Sequence, residues 1–155
     1  MGPGIAIKAA MQRKFSLLVF GWTQIVIDIE PLIFHIAHRG QHHGYTHNYL
    51  GATLIAVFSA ITGKYLSEFG LRIINRLQYL PINWPTALIS AFIGAYSHVF
   101  LDSLIHLDVT PFAPFSLENS VTGRISTLSM DLFCLFCAIA GGLVCLLQSK
   151  INKSH

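Results

Sequence analysis

The sequence predicts an all-α integral membrane four-helix bundle with both termini in the cytoplasm and a polar His/Asp cluster at its extracytoplasmic end. Three observations carry that expectation. Only 11% of the 155 residues are charged while 53% are apolar, against about a quarter charged in a soluble domain. Four apolar stretches are each long enough to cross a ~30 Å hydrocarbon core, which takes about 20 residues at ~1.5 Å per residue. Finally, eight histidines are present and seven of them fall between residues 35 and 106. The net charge of +3 is small and dispersed, so nucleic acid is not an expected partner.

The chain reads as a single transmembrane domain over 1–155, with helices at about 15–34, 45–66, 84–107 and 127–148. The first carries Asp28 and Glu30 in FSLLVFGWTQIVIDIEPLIF. Lys8, Arg13 and Lys14 precede it as they would a signal peptide, but no small-residue cleavage site follows before Asp28, so it reads as a retained helix. The second opens at His47 and runs through an almost uncharged stretch. The third starts at Asn83-Trp84-Pro85, a helix start with an interfacial tryptophan, and carries His98, Asp102 and His106. The fourth contains Cys134, Cys137 and Cys145; their place in a lipid-depth helix makes small-residue packing the better account of the C-x2-C spacing.

Eight of the ten Lys and Arg residues lie in the N-terminal arm, the second connection and the C-terminal tail, and only Arg39 and Arg124 lie in the other two connections. The positive-inside rule then gives an N-in, C-in topology. The same topology places six of seven acids and seven of eight histidines toward the outer face. Ionisable groups in a membrane are costly, at about 2.5–3.5 kcal/mol each on insertion scales, and therefore mark functional sites.

His98-x3-Asp102-x3-His106 is the sharpest local pattern, since residues four apart stack on one helix face. Imidazole with carboxylate suits zinc or a harder divalent ion such as manganese. Asp28 and Glu30 point about 200° apart on a regular helix; both serve one centre only if Pro31 is accompanied by unwinding, and otherwise one ligates and the other supports. Two or three of the His98, Asp102 and His106 side chains can reach one metal, and His43-x3-His47 has the same spacing, with Gly44 leaving its helicity open. Asp131 reads as a helix cap. Ala87, Ala91 and Ala95, with Ser90 and Gly94, read as a close-packing seam.

With these residues in view, the chain resembles the membrane-bound metal-dependent hydrolase family of bacteria and archaea. The resemblance is carried by IDIEP at 27–31, HGYTHNYLGA at 43–52, SHVFLDSLIH at 97–106 and TPFAPFS at 110–116, in the family's order. It covers the first three quarters of the chain. It departs from the family in having no histidine before His35, and in Glu30 and Asn48 where many relatives carry Asp and Ser. That family is in turn distantly similar to the zinc-dependent phospholipase C and single-strand nuclease superfamily. The resemblance implies a divalent-metal hydrolase in the prokaryotic inner membrane, acting on a phosphoester or lipid phosphate at the outer face, with membrane lipids around it; the alanine and glycine seam permits a homo-oligomer. With the family pattern placed on these residues, the expected metal ligands are Asp28, His47, His98 and Asp102. Glu30, His43 and His106 are expected to complete the site or supply a general base, and Arg39 to steady an anionic substrate. Two other readings compete: a non-catalytic metal-binding or structural membrane protein, and haem held between His47 and His98. The acids around those histidines favour a divalent cation over haem. An ion conduit is disfavoured, because the inner half of each expected helix lacks ionisable residues.

Overall fold

The computed structural model describes residues 1–37 and 44–151. These residues form six α-helices: α1 (Gly2–Met11), α2 (Leu17–Ile27), α3 (Ile29–Ile36), α4 (Tyr49–Ile73), α5 (Trp84–Ile105) and α6 (Thr127–Ile151). No strand occurs among them. With α2 and α3 taken together, four segments are long and apolar enough to cross a membrane: Leu17–Ile36, Tyr49–Ile73, Trp84–Ile105 and Thr127–Ile151.

Each of the four spans begins at a side-chain cap. Ser16 Oγ accepts from the Val19 amide, Asn48 Oδ1 from Gly51, Asn83 Oδ1 from Thr86 and Ser126 Oγ from Ser129, each satisfying one otherwise orphaned N–H. The cap of α6 is therefore Ser126, and Asp131 lies further along the helix on an exposed face. The break between α2 and α3 has its cause in Pro31, which has no N–H to give the Ile27 carbonyl. Asp28 stands in the gap.

α2, α4 and α5 pack on one another. Ala52, Ala56 and Ala60 on α4 and Ala87, Ala91 and Ala95 on α5 are all fully buried and belong to one core with Val19, Ile27 and Val99. Two alanine rows at four-residue spacing let the backbones approach, the usual source of cohesion where lipid removes the hydrophobic drive. Hydrogen bonds fasten the seam: Ser90 Oγ accepts from the Ser16 amide and donates to the Thr86 carbonyl, and Trp22 Nε1 donates to Thr62.

The fourth span packs chiefly on α1, a helix absent from the sequence-based expectation. A Cβ on Gly141 would come within 2.6 Å of the Ala6 amide nitrogen, so the two helices touch backbone to backbone there. Gln148 Nε2 donates to the Ala9 carbonyl further along the same contact. Lys8 closes the end of α1 by donating to the Gln12 and Phe15 carbonyls.

α4 runs two turns beyond the expected end at residue 66, to Ile73. This corrects the expectation that inner helix halves lack ionisable groups. Lys64 and Glu68 lie within α4, buried and paired one turn apart. Glu68 also accepts from the Ile82 amide, and Lys64 Nζ lies over the Tyr65 and Trp84 rings. The pair clasps the connection into α5, a structural role.

Candidate metal centre

Four side chains from three places in the chain meet at one end of the α2–α4–α5 packing. Asp28 comes from the α2–α3 break, His47 from the single 3-10 turn Tyr45–His47 ahead of α4, and His98 with Asp102 from successive turns of α5. Their facing atoms are close: His98 Nε2 lies 3.1 Å from both Asp28 Oδ1 and Asp102 Oδ2, and His47 Nε2 lies 3.3 Å from Asp102 Oδ2 and 3.7 Å from Asp28 Oδ1. The two imidazole rings meet edge to face at 5.3 Å.

The other nitrogen of each imidazole is held by a polar partner. Thr46 Oγ1 donates to Glu30 Oε2 at 2.6 Å, so toward His47 Nδ1, at 2.9 Å, it can only accept. His47 therefore carries a proton on Nδ1. Gln24 is oriented by donating from Nε2 to the Gly94 carbonyl, which turns its Oε1 to accept from His98 Nδ1 at 2.8 Å. Both histidines thus direct Nε2 at the carboxylates. If both are neutral, four oxygen and nitrogen lone pairs face one another, an arrangement that needs either protons or a cation between them. Burial pushes the His47 imidazole down, but the Asp102 and Asp28 carboxylates at its Nε2 outweigh this and leave it above its ordinary value. A cation entering there competes with a well-held proton.

The donor set fits a divalent metal. Ligand atoms arranged tetrahedrally at about 2.0–2.1 Å from one ion stand about 3.3–3.4 Å apart, and the four measured separations bracket that value. Ligand atoms of Asp28, His47 and His98 all lie within 4.8 Å of one another. Nδ1–H bonds to a side-chain oxygen are the usual outer support of metal-bound histidine. His47 is buried at 1% exposure, His98 and Asp102 are partly buried, and Asp28 is exposed. The open side of the group is therefore the side of Asp28.

The turn that presents His47 is built from its own sequence. Glu30 accepts from the Tyr45 and Thr46 amides as well as from the Thr46 hydroxyl. Gly51 lets α4 lie against the turn, since a Cβ there would overlap the Tyr45 carbonyl. From the other side, the Pro111 carbonyl accepts from the Tyr49 amide, and Phe112 packs on the Tyr49 ring. Asn119 Nδ2 donates to the Ser103 and Val109 carbonyls, closing the end of α5 just beyond Asp102. The proline-containing stretch thus braces the site.

The structure sorts the expected site residues. It brings together Asp28, His47, His98 and Asp102. It places Glu30 as the support of the His47 turn, the outcome in which one acid of the pair faces the cluster and the other holds it. His106 does not join the four: α5 ends at Ile105, the His106 backbone is extended, and its side chain is exposed. His43 and Arg39 lie outside the described residues. Gln24 was missed, although it stands one helical turn before Asp28 as the only amide in an apolar stretch.

Fold and cluster together define a multi-pass helical membrane protein with a His/Asp group at one end of its spans. A sequence model of the YdjM inner membrane protein family matches residues 7–154, and the chain belongs to that family. No curated protein and no solved structure matches it.

Proposed function

We propose that this inner membrane protein binds one divalent metal, zinc in the first instance and manganese as the alternative, through Asp28, His47, His98 and Asp102, and that it hydrolyses a phosphoester at the outer membrane face. The observation that carries the metal reading is the convergence of two Nε2 atoms on two carboxylates while each Nδ1 is fixed by Thr46 or Gln24. Hydrolysis rests on the family resemblance and on the chemistry such a site permits. When bound, the ion supplies Lewis-acid polarisation of a phosphoryl oxygen and acidifies a water.

The chain's own contribution is positional. His47 and His98 hold their lone pairs toward the centre, Thr46 and Gln24 fix the tautomers, and Glu30 holds the turn. Asp28 is the exposed member and faces the approach of substrate. Glu30 is engaged with three donors, so the general-base role passes away from it. The outer location rests on the eight-to-two distribution of basic residues.

A second reading is favoured by the same distances: protons in place of the metal would make the four groups a polar clasp between helices. One experiment addresses reading and orientation together. Right-side-out membrane vesicles carrying the metal-loaded protein are given p-nitrophenyl phosphate, which does not cross the bilayer, with and without chelator. The expected result is turnover that chelator abolishes and added zinc or manganese restores. Turnover confined to inside-out vesicles would reverse the orientation, and none from folded, metal-loaded protein would leave a non-catalytic metal site.

A further inference from the structure

A groove of about 730 Å³ lies between α2 and α4 and opens laterally. Leu18, Gly21 and Ile25 on α2 and Leu66, Gly70 and Leu71 on α4 form its apolar walls. Both walls run to the same membrane boundary: Leu17 opens the first span, and Ile74, also in the lining, follows the last residue of the second. Gln24 and Asp28 form only the far end, so most of the groove lies in the half of the bundle away from the metal centre. From Ile25 to Leu17 the lining descends α2 by about 12 Å at ~1.5 Å per residue, within the ~15 Å of one leaflet's hydrocarbon.

Cations stand at that boundary. Arg13 and Lys14 precede Leu17 on one wall, Arg72 and Arg76 bracket Ile74 on the other, and all four are exposed. Glu68 is the only acid between Glu30 and Asp102 in the sequence, and it is buried and already neutralised by Lys64. The mouth of an apolar groove is thus rimmed by positive charge. Such a rim complements a phosphate, and each Lys or Arg near an anionic bilayer surface adds about fivefold in affinity.

We infer that this groove seats a hydrocarbon chain of an anionic phospholipid whose phosphate lies at the rim of Arg13, Lys14, Arg72 and Arg76. The lipid belongs to the leaflet at that boundary, the cytoplasmic one under the eight-to-two distribution of basic residues. It is held between α2 and α4 and is not turned over, and the inference does not depend on the metal-site reading. The apolar walls accept any chain; the rim selects the charge.

Gly70 offers a clean way to fill the groove, because a Cβ there meets nothing within 4 Å. Trp22 lines the groove and becomes the sole tryptophan in a Trp84→Phe background, so a bromine-bearing chain in the groove quenches it. The probe is phosphatidylglycerol with dibrominated chains, compared with phosphatidylcholine carrying the same chains, each titrated into phosphatidylcholine vesicles that hold the protein. The expected result is half-quenching by the phosphatidylglycerol at a mole fraction at least about fivefold lower. Gly70→Phe is expected to remove that preference by filling the groove, and Lys14→Gln with Arg76→Gln to remove most of it by stripping the rim. Circular dichroism on the same samples checks that the helices persist. Equal quenching by the two lipids, or a preference undiminished in the double charge variant, would overturn the inference. A preference that survives Gly70→Phe would also overturn it, since charge at the rim would then act with no chain seated in the groove.

Discussion

Asp102→Ala is expected to abolish stoichiometric metal binding while leaving the helices intact. Asp102 Oδ2 is the atom closest to both imidazole Nε2 atoms taken together, at 3.1 and 3.3 Å. Losing an outer partner of a ligand costs about 10–100-fold in affinity, and losing a direct ligand costs more, so a loss of at least about a hundredfold is predicted. The fold should survive because the core of α5 is made by Ala87, Ala91, Ala95 and Val99 and its start by the Asn83 cap, none of which involves the Asp102 side chain. Elemental analysis of detergent-purified wild type, Asp102→Ala and His98→Ala, with circular dichroism on the same samples, reads both halves of the prediction. Full metal occupancy in folded Asp102→Ala would remove it from the ligand set.

Gly51→Ala is the second large effect. A methyl at this position overlaps the Tyr45 carbonyl, and backbone cannot rotate away as a side-chain tip can. Either the Tyr45–His47 turn lifts from α4 or the start of α4 unwinds, and in both cases His47 leaves its place. Overpacking of this kind costs about 1–3 kcal/mol. The measurement is thermal unfolding in detergent together with zinc titration, with Gly142→Ala as control, because a Cβ on Gly142 meets nothing within 4 Å. Reduced stability and reduced metal affinity are expected in Gly51→Ala alone; wild-type behaviour in both would show that the turn does not depend on this close approach.

The spans were legible because a bilayer imposes a length on any helix that crosses it, and the four apolar stretches meet that length. The cluster was legible for a related reason. Asp28, His98 and Asp102 stand in stretches where ionisable groups are costly, and His98 and Asp102 share a face at i, i+4. His106 extended that pattern on paper, but periodicity does not say where a helix stops. Here the Ile105–His106 junction turns extended, and the Thr122 hydroxyl and the Gly123 amide take up the carbonyls of His106 and Leu104.

What stayed hidden depends on contacts between distant parts of the chain. α1 is ten residues long and begins Gly-Pro-Gly, which reads as an irregular arm; its backbone fits against Gly141 of α6, and no local signal encodes that. The expected second span stopped at residue 66, short of Glu68, yet Lys64 and Glu68, paired with each other, are both carried inside α4. The two-residue spacing of Asp28 and Glu30 left open which of them faces the cluster. Only the Pro31 break and the Tyr45 and Thr46 amides decide it.

The central claim is that two imidazole Nε2 atoms and two carboxylates hold one divalent ion. X-ray absorption at the metal edge of purified, zinc-reconstituted protein tests it most directly. The account predicts a shell of nitrogen and oxygen at about 2.0–2.2 Å with the outer scattering of imidazole and no sulfur. A sulfur shell at about 2.3 Å would place the ion on the cysteines of α6, and folded protein that takes up no metal would leave the four side chains joined by protons alone.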